Sequence, residues 1–256
     1  MTARVTCALL GLVAVAACAG PAPGSPEQSH TSGELVSTRC ADLVVLGVRG
    51  SGQAADRNRG VGKEVLRTVT DLAHRVGSRA GTSVRLEPVP YDASGAATTA
   101  VYFEHVGAGA RMAERQADDI VDRCPDSRLA LVGFSQGANV VHELADDVPA
   151  ALAARIDLIG MIADPRRNPG DTIPQWSYAA DPVMQPGLLG AGAPIDADVS
   201  KVAISFCVKG DEVCGGEGGG VVGNRTSRTH RFFYEKPTNA AVTAAQLDRV
   251  LQAGDS

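Results

Sequence analysis

The segment "RLALVGFSQGANVVHELA", residues 128–145, joins a strand-like hydrophobic pattern to a helix-like one and so indicates the fold class. Residues 128–134 are apolar almost without alternation, which is typical of a strand buried on both faces of a parallel sheet. Residues 136–145 read as a helix, and the pentapeptide GFSQG at the junction fits the Gly-x-Ser-x-Gly pattern of a sharp strand-to-helix turn. The two glycines remove side chains that would collide there. The context predicts that Ser135 is a nucleophile rather than an ordinary turn residue.

The same alternation of patterns continues on both sides of this segment. Further strand-like apolar runs cover 42–48, 83–91, 156–163 and 201–208, and helix-like stretches cover 62–76, 109–122 and 239–253. An alternating β-α order favours helices on both faces of a parallel sheet. The fold class predicted is therefore α/β: a single-domain, three-layer α/β/α sandwich with a central, mostly parallel, five-stranded sheet.

One stretch, residues 164–199, carries six prolines and no clear period, so we interpret it as a long loop. Long irregular loops in compact domains are often functional. The loop has two open interpretations. It either walls a substrate pocket or is a surface excursion packed onto the core, and the side chains concerned are Trp176, Met184, Leu188 and Leu189.

The N-terminus has the pattern of an export signal. Arg4 precedes the apolar stretch "VTCALLGLVAVAAC", which is too short for a comfortable membrane span. Its end, "VAAC", resembles a lipobox, so we expect lipidation of Cys18, with an ordinary cleaved secretory signal as the alternative. The predicted organisation is a signal peptide over 1–18, a flexible tether over 19–38 and one domain over 39–256. We therefore expect an exported protein that is lipid-anchored at the cell membrane or lies in the cell envelope or extracellular space.

Composition and cysteine count limit the partners. The net charge of −5 and the absence of a dense Lys/Arg run exclude broad nucleic-acid binding. Cys40, Cys124, Cys207 and Cys214 remain in the exported domain, and four cysteines in an oxidising compartment predict two disulfides. Three pairings are possible, of which sequence proximity favours Cys207 with Cys214. A zinc site is the alternative, but the spacing of "CVKGDEVC" and the lack of a nearby histidine argue against it.

A serine nucleophile needs a histidine base and a carboxylate that orients it. His142 and His230 are the histidines that follow Ser135. His142 lies two turns along the helix that Ser135 begins, so we interpret it as a packing or surface residue and His230 as the base. Asp211, between two cysteines after a strand, is the favoured acid. Asp164, which ends another strand, is its rival, or else a turn residue or an Arg-paired carboxylate.

The reaction also needs hydrogen-bond donors for an oxyanion. The backbone N–H of Gln136 is one candidate, because it directly follows the nucleophile. The glycine-rich segment "GVRGSGQ", residues 47–53, leaves the first strand and offers Ser51 as the second. The same loop has neither the lysine of a P-loop nor a full Gly-x-Gly-x-x-Gly pattern, which argues against nucleotide binding.

Together these motifs resemble the cutinase family of serine esterases. The matching pieces are "CADLVVLGVRGSGQ", "CPDSRLALVGFSQGA", "CVKGDEVC" and "THRFFY", spread over some 200 residues in the family's order. The resemblance implies a small α/β hydrolase with disulfides Cys40–Cys124 and Cys207–Cys214, a triad of Ser135, Asp211 and His230, and an oxyanion hole of Ser51 and Gln136. It also implies hydrolysis of fatty-acid esters without a metal or organic cofactor.

Two segments depart from the family pattern: the glycine-rich loop between Asp211 and His230, and residues 164–199. Both concern the surroundings of the site, so acyl-chain preference stays open. We expect a monomer whose partner is a small-molecule or lipid ester. The alternatives are a deacetylase of acetylated sugars (an acetyl xylan-type esterase), a phospholipase or thioesterase of the cell envelope, and a binding lipoprotein that has lost catalysis.

Overall fold

The computed structural model describes residues 33–216 and 226–254, which form a parallel sheet covered by helices on both faces. The strand order is β2-β1-β3-β4-β6-β5, and every neighbouring pair is parallel. The strands are β1 Leu43–Val48, β2 Val84–Pro88, β3 Arg128–Phe134, β4 Ile156–Ile162, β5 Gln175–Trp176 and β6 Ala203–Phe206.

The helices are α1 Lys63–Ala80, α2 Thr99–Arg123, α3 Gln136–Ala145, α4 Ala150–Ala153, α5 Arg228–Phe232 and α6 Pro237–Gly254. Successive side chains of a strand point to opposite faces, so β1 contributes to two cores. Val44 and Leu46 pack in the core that contains α2 and α3. Leu43 and Val45 pack in the core that contains α1 and α6. Burial on both faces explains why the strand sequences are apolar without alternation.

The α/β/α fold class is confirmed, whereas the sheet has six strands instead of five. The additional strand, β5, is two residues long and lies inside the predicted loop 164–199, where it pairs with β6. Two residues are too few to show a period in sequence. Helix α2 begins at Thr99, ten residues before the predicted start, and the Thr98 side chain caps it by accepting from the Val101 N–H.

The start of the described chain is attached to the sheet. Leu35 forms a parallel bridge with Val84, and the Val36 N–H donates to the Val84 carbonyl at 2.9 Å. These residues belong to the segment predicted as the tether, so its last part contacts the domain. The predicted signal peptide, Cys18 and residues up to 32 lie outside the described residues. Within the described ranges, no helix has the length and apolar character that crossing a bilayer requires.

The topology brings two loops to one point of the sheet. The chain leaves β1 for β2 on one side and returns to β3 on the other side of β1. Ligand sites of open α/β sheets form beyond the carboxyl ends of strands at such a switch. The loop after β1 carries Ser51, and the turn after β3 carries Ser135. The strand order alone therefore explains why these two residues meet.

Candidate active site

The turn at Ser135 has the strained geometry that the sequence predicts. Ser135 has φ 55° and ψ −119°, a region that residues with side chains rarely adopt. A Cβ atom on Gly133 would lie 2.2 Å from the Gly137 carbonyl oxygen, and one on Gly137 would lie 2.1 Å from the Val48 carbonyl oxygen. The two glycines are therefore required by close backbone approach on both sides of the serine.

Ser135 lies within hydrogen-bonding distance of a histidine that is distant in sequence. The His230 Nε2 atom is 3.0 Å from Ser135 Oγ, and the His230 Nδ1 atom is 3.1 Å from both carboxylate oxygens of Asp211. His230 and Asp211 are buried. The structure thus brings together the three residues that the sequence assigns as nucleophile, base and acid, in the linear order that proton transfer from serine to histidine requires.

Asp211 is held by covalent and hydrogen-bonded restraints. It lies inside the small loop closed by the Cys207–Cys214 disulfide. The Val213 N–H donates to Asp211 Oδ1 at 3.0 Å, and the Tyr234 hydroxyl donates to Oδ2 at 2.8 Å. Hydrogen bonds to a carboxylate stabilise its charged form. The acid is therefore fixed in direction before it meets the imidazole.

Tyr234 contacts the candidate site, and the sequence analysis did not single it out. It is fully buried, and its hydroxyl also accepts from the Val208 N–H at 3.0 Å. Burial, followed by the nearby charge of Asp211, raises its pKa well above the ordinary value of a tyrosine. It therefore stays protonated and can donate. The signal was present in "THRFFY", but an aromatic run does not reveal which ring carries a buried hydroxyl.

The histidine ring is positioned by packing and by its helix. Phe134 stacks on the His230 ring with centroids 5.0 Å apart and planes at 21°. The Ser227 hydroxyl caps α5 by accepting from the His230 N–H at 3.1 Å. The Ser227 N–H in turn donates to the Glu212 carboxylate. The Glu212 contact therefore adds to the His230–Asp211 contact in joining the two sides of the predicted histidine loop. Residues 217–225 of that loop lie outside the described residues.

Hydrogen bonds hold the segment after β1 in place. The buried Arg49 guanidinium donates to the carbonyls of Gln53, Val89 and Tyr91, and the Tyr91 hydroxyl donates back to the Arg49 carbonyl at 2.6 Å. The Gln53 Oε1 atom accepts from the Gly50 N–H at 2.7 Å, and its Nε2 atom donates to Glu64. These contacts fix the backbone that presents Ser51.

Ser51 and Gln136 meet at the serine turn. The Ser51 hydroxyl donates to Gln136 Oε1 at 2.7 Å. The Gln136 Nε2 atom is buried and has no hydrogen-bond partner in the described chain. The Gln136 backbone N–H begins α3, where the first amides of a helix have no partner within that helix. Both predicted oxyanion groups therefore lie beside Ser135, one on each side of the switch point.

His142 and Asp164, which the sequence analysis did not favour as base and acid, form a buried pair with each other. His142 Nδ1 lies 2.5 Å from Asp164 Oδ2, and His142 Nε2 lies 2.8 Å from the Ala193 carbonyl. Asp164 is paired with this histidine rather than with an arginine, and His142 is buried rather than at the surface. Burial alone lowers the pKa of His142, but the charge and hydrogen bond of Asp164 outweigh it and raise the pKa to about 9.

The pocket at Ser135 has a volume of about 640 Å³ and is also lined by His230, Phe134 and Ser51. None of the four loop residues proposed as pocket contacts is among its described lining residues. Leu189 packs against one core and Trp176 against the other, while Met184 is 64% exposed. In the described structure the loop 164–199 is thus a packed surface excursion, held to α3 through the His142–Asp164 pair.

The four cysteines of the described chain form two disulfides. Both predicted disulfides, Cys40–Cys124 and Cys207–Cys214, are present. Among the described residues, no three histidine, cysteine or carboxylate side chains converge as metal ligands would. The site combines a serine, an imidazole and a carboxylate in series. The Gln136 N–H and the Ser51 hydroxyl lie beside them, in a fold built on a parallel sheet. Such a fold and site define an α/β hydrolase.

Comparisons with known proteins agree with this class. The family model Cutinase matches residues 39–246. The chain is 31% identical over 193 residues to cutinase CUT2 of Pyricularia oryzae, covering 73% of this chain and 74% of that protein. It is 26% identical over 219 residues to carboxylesterase Culp1 of Mycobacterium tuberculosis, covering 85% and 87%. The catalytic core domain of acetyl xylan esterase from Trichoderma reesei has a similar fold, with 18% identity, coverage of 84% and 98%, and a TM-score of 0.54.

The chain belongs to the cutinase family, and it is a carboxylic ester hydrolase. The resemblance stated from the four sequence motifs is thereby confirmed. Membership of the family does not define which acyl group this chain accepts or which role each residue has in the reaction.

Proposed function

We propose that this enzyme hydrolyses esters of fatty acids or acyl lipids through a Ser135–His230–Asp211 triad and an acyl-enzyme. The observation that carries the proposal is the 3.0 Å separation of Ser135 Oγ and His230 Nε2, with Asp211 on the opposite ring nitrogen. A serine hydroxyl is a weak nucleophile until an adjacent base takes its proton. The series of contacts supplies that base in the orientation that the reaction needs.

In the acylation step, His230 Nε2 accepts the Ser135 proton as Oγ attacks the ester carbonyl. Asp211 holds the proton on Nδ1 and stabilises the imidazolium that forms. The negative charge on the carbonyl oxygen is stabilised by the Gln136 N–H and the Ser51 hydroxyl. His230 then gives its proton to the leaving alcohol. Water hydrolyses the acyl-enzyme by the same transfers, and no metal or cofactor takes part.

The proposed location is outside the cytoplasm. The sequence pattern of residues 1–18 supports export, and "VAAC" supports a lipid anchor on Cys18. Two disulfides are consistent with an oxidising compartment. Cell fractionation with a Cys18→Ala variant tests the anchor, because the variant should leave the membrane fraction.

The first test is hydrolysis of p-nitrophenyl esters from acetate to palmitate by the purified protein and its Ser135→Ala variant. We expect activity that the variant lowers by at least about a thousandfold, since the nucleophile is removed. A folded protein that hydrolyses none of these esters would contradict the proposal and favour a binding lipoprotein.

A second candidate function is acetyl ester hydrolysis of the xylan esterase type, favoured by the similar fold of the Trichoderma reesei enzyme. The chain-length series separates the two candidates. A deacetylase loses activity beyond acetate, whereas a lipid esterase keeps or gains activity with longer acyl chains.

A further inference from the structure

Positive charge is concentrated in the pocket that contains Ser135 and His230. Three cationic side chains line it, those of Arg57, Lys63 and Arg231. The chain as a whole carries a net charge of −5, so this local excess runs against the overall balance. A cleft lined by one sign of charge raises the local concentration of oppositely charged ligands.

The two carboxylates that line the same pocket are already engaged. Glu235 pairs with Lys63 at 3.5 Å. Glu64 is buried, accepts a hydrogen bond from Gln53 at 2.6 Å, and has its pKa raised by burial. Neither acid forms an ion pair with an arginine within the described residues, and the pocket lining holds one more Arg/Lys side chain than Asp/Glu side chains.

Neither arginine has an acidic partner within the described residues. Arg57 makes no ion pair there, even with the neighbouring Asp56, and its side chain takes part in no hydrogen bond in that part of the chain. Arg231 lies over the exposed ring of Phe232 at 5.2 Å, a contact that leaves its N–H groups available. The guanidinium fork matches the geometry of carboxylate and phosphate groups.

The two arginines line the same pocket from different segments of the chain. Arg57 follows the segment that presents Ser51, and Arg231 directly follows His230. We propose that the natural ester carries a negatively charged group, a carboxylate or a phosphate, and that Arg57 and Arg231 bind this group. The proposal rests on the proposed function and names its substrate class.

The test compares matched esters that differ in charge. Mono-4-nitrophenyl suberate carries a free carboxylate, and its methyl ester is neutral with almost the same length. Dihexanoyl phosphatidate and dihexanoyl glycerol, both below their micelle concentrations, form the corresponding phosphate pair. The measured quantity is the ratio of kcat/KM for the charged ester to that for the neutral ester, and the pair with the higher ratio identifies the anion.

We expect the double variant Arg57→Gln/Arg231→Gln to lower this ratio about fivefold, the size typical of exposed charge pairs. The matched control is Arg115→Gln, which removes an exposed arginine of α2 that lies outside the lining of this pocket. The control should keep the wild-type ratio. Raising the salt from 20 to 500 mM should weaken the wild-type preference, because screening shortens the reach of charges.

If the wild type and the double variant have the same ratio and both hydrolyse the neutral esters, the assignment of the two arginines is wrong. The esterase proposal is not affected by that result. A protein that hydrolyses neither member of either pair contradicts the esterase proposal itself. The two failures are therefore distinguishable in one series of measurements.

Discussion

The hydroxyl of Ser51 has a single proton, and in the structure that proton is directed at Gln136 Oε1. Used in this way, the proton is unavailable to an oxyanion. The buried Gln136 Nε2 atom has no partner in the described chain. Rotating the side-chain amide by 180° exchanges the positions of its oxygen and nitrogen. Nε2 then donates to Ser51 Oγ, and the Ser51 proton is free for the oxyanion.

This orientation predicts that the Gln136 side chain acts through Ser51. Gln136→Met keeps the length and the backbone N–H but removes the donor, and we expect kcat to fall about tenfold with KM little changed, less than the loss of a direct oxyanion donor. The measurement is a double-mutant cycle with Ser51→Ala. In the Ser51→Ala background, Gln136→Met should cost almost nothing more. An equal loss in both backgrounds would show that Gln136 acts independently of Ser51.

At the scale of elements, the His142–Asp164 pair joins helix α3 to the long loop 164–199. Both imidazole nitrogens face acceptors, Asp164 on one side and the Ala193 carbonyl on the other. Both acceptors are satisfied only when the ring carries two protons. The geometry therefore favours the charged imidazolium, in agreement with a pKa raised to about 9. Since α3 begins beside Ser135, this contact also anchors the helix that carries the oxyanion amide.

The pair makes stability depend on pH. The folded-state pKa of His142 lies above the ordinary value of 6.5, so its stabilisation is complete below that value and is lost as pH rises through about 9. We expect the free energy of unfolding in urea to fall by about 2 to 3 kcal/mol between pH 6.5 and 9.5. His142→Gln should be less stable at pH 6.5 and should lack this fall.

The control for that measurement is His74→Gln, which removes an exposed histidine of α1. It should reproduce the wild-type pH profile. A fall of wild-type size that persists in His142→Gln would assign the pH dependence to other groups.

Elements with strong hydrophobic patterns could be predicted from sequence, and those defined by long-range contacts could not. The predicted strand 128–134 and helix 136–145 have the same bounds as β3 and α3, because their sequence patterns are uninterrupted. The short strand β5 exists because Gln175–Trp176 lies beside β6, which is a property of the fold rather than of those two residues. His142 shows the same limit, since its partner is 22 residues away.

In the molecule as a whole, the strand order of the sheet brings the residues of the site together. Ser135, Asp211 and His230 could be predicted as a set because serine hydrolases of this fold keep a fixed chain order. Two supporting residues could not be predicted: Arg49, which holds the segment that presents Ser51, and Tyr234, which donates to Asp211. Nothing in the local sequence marks a buried arginine or tyrosine as the partner of a particular loop. The sequence thus predicts the three side chains of the proposed triad, and the packing that orients them becomes visible only in three dimensions.

The two disulfides have different tasks at this scale. Cys40–Cys124 closes a separation of 84 residues and holds the start of the domain to the end of α2. Cys207–Cys214 closes a separation of 7 residues around Asp211. The stabilisation expected from a restricted unfolded chain grows with loop length, to about 4.5 kcal/mol for the long loop and about 2 kcal/mol for the short one.

Removing the long-loop disulfide should therefore affect stability more, and removing the short-loop disulfide should affect activity more. Cys40→Ala/Cys124→Ala should lose more of the free energy of unfolding but keep kcat within about twofold, because the bond lies far from the triad in the fold. Cys207→Ala/Cys214→Ala should lose less stability but about tenfold or more in kcat, because Asp211 loses its fixed direction. Urea unfolding and ester hydrolysis on the same two proteins give both quantities. If the short-loop variant kept full activity, the hydrogen bonds from Val213 and Tyr234 would by themselves be sufficient to orient the acid.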